Sequence, residues 1–192
     1  MTKNRLEAFS DGVLAIILTI MVLEMKVPHG KATFADLEPI VPIFLSYVLS
    51  FAYIGIYWNN HHHMMHVTKK ISGSVLWANL HLLFWLSLVP FATGWMGENN
   101  FLPAPTALYG VVLFMAGVAY LILQRTIVHL EGNESDLAKA VGRDIKGKFS
   151  ALLYLVAIPI SYLLPWIACL IYVVVALMWI VPDRRIERVA TP

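Results

Sequence analysis

The sequence predicts an all-α integral membrane protein that crosses the bilayer six times, with both termini on the cytoplasmic side. Three observations carry that expectation. First, 59% of the 192 residues are hydrophobic and only 14% are charged, with a mean hydropathy of +0.70, whereas ordinary soluble domains hold about 45–50% apolar and about 25% charged residues. Second, charge and turn residues divide the chain into six apolar runs, at about residues 6–27, 40–61, 72–96, 105–128, 147–164 and 166–182; a run of about 20 such residues is what a helix needs to cross the hydrocarbon. Third, with six crossings twelve of the 14 Lys and Arg fall on one side, and only Lys26 and Lys31 fall on the other. An excess of Lys and Arg marks the cytoplasmic side.

Taken in order, the first run could pass for a secretory signal, since Lys3 and Arg5 precede it. Glu7 and Asp11 intrude, however, and the run closes on Glu24-Met25-Lys26-Val27-Pro28 with no small-x-small cleavage site, so it is read as a retained span. Ionisable residues and a serine at its mouth are costly in a membrane and mark a functional site. At 100° per residue, Gly12, Ile16, Thr19 and Leu23 fall within roughly 60° of one another, while Asp11, Leu18 and Val22 gather on the other side. Spacing alone reads that row of small and branched side chains as a packing face against another helix of the same chain. Arg5 and Asp11 point about 120° apart and form no i, i+4 pair, so their partners belong on neighbouring helices.

The second run ends in His61-His62-His63-Met64-Met65-His66. His62 and His66 share a helical face, which suits zinc or copper, and the methionines would suit copper(I). No carboxylate or thiolate is near in sequence, so the run is read as a cytoplasmic collar beside Lys69 and Lys70, off the functional row and holding no metal. The third run ends in Thr93-Gly94-Trp95-Met96-Gly97, a helix terminus with only a superficial likeness to a TVGYG filter. After the fourth comes the longest polar connection, about 129–146, with room for one short amphipathic turn of helix and no ligand-binding module. The last 34 apolar residues, 149–182, are broken by Pro165 into two spans near the lower length limit, or form one long helix kinked at Pro159 and Pro165. The charge count favours two. Residues 1–192 read as a single domain without internal repeat, and Cys169 as a core residue.

A net charge of +2 and a pI near 8.7 do not point to nucleic acid, because the basic residues lie in short clusters between apolar runs. Paired carboxylates, a nucleophile with its base, H-E-x-x-H and a phosphate loop are all missing from the spans, so no enzyme is expected.

Arg5-x-x-x-Phe9-Ser10-Asp11 at the opening of the first span, together with residues 58–62 and 79–90, resembles the signature of the transmembrane protein 175 family, potassium-permeable channels of bacteria and lysosomes. The resemblance implies a homotetramer, since chains with two copies of the motif dimerise and this chain has one. It implies that the first helix lines a central pore, with Ile16, five past the Asp, as constriction, Thr19 one turn on, Leu23 as a second apolar ring and Gly12 on the same row. It also implies an inter-helix polar network of Arg5, Phe9, Ser10, Asp11, Trp58, His62, Asn79 and His81 that holds the pore helix. Ala15 departs from members with serine at that position. A ring of Ile16 coordinates no ion, so selection would rest on dehydration, easier for potassium than sodium, and the same ring could close by dewetting. The function implied is a leak-type potassium channel of a bacterial inner membrane, with no cofactor beyond the permeant potassium ion. The rivals are a small proton-coupled secondary transporter using Asp11 and the histidines, which the lack of inverted repeats and broken helices disfavours, and a metal-binding enzyme or sensor.

Overall fold

The computed structural model describes residues 2–30, 33–142 and 144–180. Lys31, Arg143, Arg184, Arg185 and Arg188 of the charge count lie outside the described residues, as do residues 181–182 of the sixth run. Within them the regular elements are all helical: α1 (Lys3–Leu23), a 3-10 helix (Phe34–Ile40), α2 (Val41–Val67), α3 (Gly73–Ser87), α4 (Val89–Glu98), α5 (Pro103–Glu131), α6 (Asp136–Val141), α7 (Ile145–Leu163) and α8 (Pro165–Ile180). Lys3–Leu23, Phe34–Val67, Gly73–Glu98 and Pro103–Glu131 are long and apolar enough to cross a membrane, and α8 is a shorter apolar helix. The protein is an integral membrane protein. Prolines start several helices: one lies in the first turn of α2, and Pro103 and Pro165 open α5 and α8, where a missing N–H costs nothing.

Two features differ from a plain reading of the runs. The third run is not one helix but two, α3 and α4, interrupted at Leu88. Pro90 has no amide to give the Leu86 carbonyl, and its ring crowds that carbonyl. The last runs are not one kinked helix: the chain turns at Leu164 and α8 packs back on α7. Trp179 Nε1 donates to Ser150 Oγ at 2.8 Å, and Lys146 Nζ lies 4.8 Å over the Trp179 ring, joining the start of α7 to the end of α8. The amphipathic patch is α6, capped by Ser135, whose hydroxyl accepts from Ala138 N.

Helices approach closely where small residues permit it. A Cβ on Gly97 would lie 2.7 Å from the Ile43 Cα, and one on Gly110 would lie 2.1 Å from the Tyr172 hydroxyl. Most interior hydroxyls find partners, as a water-free environment demands, Thr106 Oγ1 being the exception among the described residues. Ser50 Oγ is 2.6 Å from Thr93 Oγ1 and 3.0 Å from the Tyr109 hydroxyl. Tyr154 donates to the Tyr53 hydroxyl at 3.2 Å, and Tyr53 donates to the Tyr172 carbonyl at 2.6 Å. α2, α4, α5, α7 and α8 are thereby tied into one body.

At one end of the bundle Lys3 Nζ donates to the His66 carbonyl at 3.0 Å. Glu131 Oε1 accepts from the Lys69 and Lys70 amides, and Lys69 Nζ pairs with Asp136 at 2.8 Å. The start of α1, the α2–α3 turn and the α5–α6 connection thus meet at the same end.

Candidate functional site

α1 lies on one flank of the bundle against α2, α3 and α4. Leu6, Ser10, Leu14, Ile17 and Met21 recur every three or four residues and form its buried stripe. The row Gly12, Ile16, Thr19 and Leu23 is on the far side, with Ile16 58% and Leu23 78% exposed. A Cβ on Gly12 would meet nothing within 4 Å. The row is therefore no packing face within this chain, which overturns the reading from spacing alone. The Thr19 hydroxyl is turned onto its own helix, 2.9 Å from the Ile16 carbonyl and 3.1 Å from that of Ala15. Beside the row an open groove separates α1 from α4, with Ile16, Ile20, Phe91 and Gly94 on its walls and Glu24 and Glu98 at the helix ends.

Two hydrogen-bonded anchors hold the start of α1. On its flank, Trp58 Nε1 donates to Asp11 Oδ1 at 3.0 Å. The indole N–H has one hydrogen to give and a carboxylate accepts it well, so this exposed contact tethers α1 to α2. In the interior, Asn79 Nδ2 donates to Ser10 Oγ at 2.9 Å, and His61 Nε2 is 2.8 Å from Asn79 Oδ1. Ser10 passes its own hydrogen to the Leu6 carbonyl at 2.9 Å. The chain His61, Asn79, Ser10 thus joins α2, α3 and α1 with all three residues buried.

Of the eight residues grouped on the sequence, four take part: Ser10, Asp11, Trp58 and Asn79. His62 does not join by hydrogen bonding; its ring stacks on Trp58 at 6.1 Å and it is exposed. His81 bonds within its own helix, accepting from Trp85 Nε1 at 3.0 Å. Arg5 and Phe9 are exposed, and the Arg5 side chain makes no hydrogen bond or ion pair among the described residues.

His61, set on the sequence in the cytoplasmic histidine collar, belongs to the interior anchor. It is 3% exposed and bonded to Asn79. A single step from His62 turns it about 100° around α2, out of the exposed face that Trp58 and His62 share. Met64 and Met65 are fully buried in the core. Among the described residues no group of three or more His, Cys, Asp or Glu is placed to hold a metal ion.

Comparison with known proteins bears on the family and the fold. Residues 5–90, from the first turn of α1 into the first turn of α4, match the family model described as endosomal/lysosomal potassium channel TMEM175. A potassium channel of Chryseobacterium sp. is 55% identical over 188 residues, covering 98% of this chain and 97% of that one. The endosomal/lysosomal proton channel TMEM175 of Homo sapiens is 38% identical over 96 residues, 44% of this chain and 19% of that protein. The crystal structure of a lysosomal potassium-selective channel TMEM175 homolog from Chamaesiphon minutus superposes with a TM-score of 0.83 at 26% identity, covering 94% of this chain and 97% of that one. With the motif, the helices and a full-length relative in agreement, the chain belongs to the TMEM175 family.

Proposed function

We propose that this chain is the subunit of a potassium channel in which four copies place α1 around a shared axis, six spans per copy, with both termini in the cytoplasm of a cell whose plasma membrane holds the protein. One observation carries the reading: α1 is anchored along one face while the row Gly12, Ile16, Thr19 and Leu23 is turned away from its own chain. A helix so held has a face reserved for something outside the subunit. The gathering of Lys3, Lys69 and Lys70 at one end supports the assigned orientation. The names of the Chryseobacterium and Chamaesiphon relatives support potassium as the ion.

On this reading Ile16 is the constriction. Four sec-butyl groups offer no ligand to a cation, so passage costs part of the ion's hydration, and potassium gives up water more readily than sodium. Thr19 lies about 4.5 Å and Leu23 about 10.5 Å further along the axis. The test is the reversal potential under potassium against sodium. Ile16→Asn is expected to raise current and admit sodium nearly as well as potassium. Leu18→Asn, on a partly buried face, is expected to change assembly and leave the preference alone. If Ile16→Asn keeps the wild-type preference and Leu18→Asn loses it, the pore face is wrongly assigned.

A further inference from the structure

Behind the anchors of α1, between α2, α5, α7 and α8, the subunit holds a cavity of about 110 Å³. Aromatic rings, among them Tyr53, Tyr57, Phe114, Tyr154 and Trp179, form part of its walls. Three hydrogen-bonding groups on the lining have no partner among the described residues. Gln124 is 6% exposed, and its carboxamide has no partner among the described residues. The Asn60 amide donates to the Ile56 carbonyl at 2.8 Å, while its side-chain oxygen is left over. The Tyr57 hydroxyl likewise has no hydrogen-bond partner there. The polar atoms of all three remain reachable from the cavity, so whatever fills it can bond to them. The one carboxylate on the lining, Asp144, is engaged as the cap of α7, accepting from Gly147 N at 3.1 Å.

We propose that this cavity is a binding site for a small neutral single-ring molecule bearing one hydroxyl or amide, placed to act on the anchoring of α1. Size limits the ligand to one small ring, because at about 110 Å³ the cavity is smaller than the roughly 150 Å³ that accepts benzene. The aromatic walls supply stacking and edge contacts, and Gln124, Asn60 and Tyr57 supply both donors and an acceptor for one polar substituent. Coupling follows from α2: Tyr57 and Asn60 line the cavity, and their neighbours Trp58 and His61 hold Asp11 and, through Asn79, Ser10. The coupling, unlike the site, rests on the channel reading.

4-Fluorophenol is the probe, followed by fluorine NMR on the purified full-length protein in detergent, where partition into micelles gives a signal that does not saturate. A saturable bound signal is expected in the wild type. Gly117→Leu should abolish it, because a Cβ there lies 3.8 Å from the Tyr57 hydroxyl and the side chain fills the space without a backbone collision. Gln124→Leu, similar in shape, should weaken binding on the order of tenfold. In liposomes, saturating 4-fluorophenol should change potassium flux through the wild type and have no effect on Gly117→Leu. No saturable signal in the wild type, the result if the cavity takes water only, overturns the site, and so does binding that survives both substitutions. Binding without a change in flux overturns the coupling alone. Wild-type protein that carries no potassium even without the probe overturns the channel reading while the fluorine result still decides the site.

Discussion

Replacing Asn79 by leucine tests whether the interior anchor, rather than the surface one, holds α1 in place. Leucine preserves the volume at a position that is 2% exposed and removes both hydrogen bonds of the side chain, at 2.8 Å to His61 and 2.9 Å to Ser10. Each bond is worth about 1 kcal/mol net, and His61, itself buried, is left with an unpaired ring nitrogen at a further cost of about 1–3 kcal/mol. The sum is about 3–5 kcal/mol. For a chain of this length each kcal/mol lowers the melting temperature by about 2–4 °C, so a fall of roughly 6–20 °C is expected. Ser10→Ala leaves only the Asn79 amide short of an acceptor and should cost about 1–2 kcal/mol. His62→Ala, which removes an exposed stacked ring, should stay within about 0.5 kcal/mol. Fluorescence-detected size exclusion after graded heating reads all three. Asn79→Leu melting with the wild type, or His62→Ala falling further than Asn79→Leu, would refute the reasoning.

The surface anchor predicts a coupled pair: Trp58→Phe and Asp11→Asn should each destabilise by about 1 kcal/mol and together by little more than either alone, a double-mutant cycle measured in the same heating assay. Close helix approach makes Gly110→Ala harmful, because the new Cβ would sit 2.1 Å from a tyrosine hydroxyl that is itself bonded to the Thr106 carbonyl at 3.2 Å; a loss of about 1–3 kcal/mol is expected, while Gly12→Ala, which meets nothing, should fold as the wild type. The Lys69–Asp136 clasp predicts a pH response. Their hydrogen bond, reinforced by opposite charge, holds the Asp136 carboxyl below its ordinary range and raises the Lys69 ammonium. The lowered acid contributes above the ordinary carboxylate range and is lost as pH falls through its folded value; the raised base contributes below the ordinary lysine value and is lost as pH rises through its own. Proteolysis within the α5–α6 connection should therefore quicken in acid and in high salt, and the acid effect should vanish in Lys69→Met.

The helices were legible because apolar length is a direct consequence of crossing hydrocarbon, and all six runs correspond to helical segments. What was not legible is rotation about each helix axis. α2 is apolar on nearly every side, so nothing in its pattern says which face meets α3, and a single residue changes the facing by about 100°; that is the difference between His62 and His61. α1 carries one polar residue, Ser10, in its buried stripe, too faint a mark to separate inside from outside. Pro90 signalled the break at Leu88 and was read through, since membrane helices often absorb a proline. Tyr53, Tyr109, Tyr154 and Tyr172 lie on four different helices, and their hydroxyl cluster exists only after those helices pack.

Thr19 carries a consequence for the sign of the charge that α1 tolerates. Its hydroxyl hydrogen is committed to the Ile16 and Ala15 carbonyls of its own helix, which leaves only oxygen lone pairs pointing outward from the exposed row. A serine or threonine free to rotate offers a hydrogen to a chloride as readily as an oxygen to a cation. In the tetramer proposed above, four hydroxyls locked in this orientation would repel anions and welcome cations with no carboxylate on the row, so discrimination by valence would be built into the helix itself, one turn away from the apolar ring proposed to discriminate by hydration.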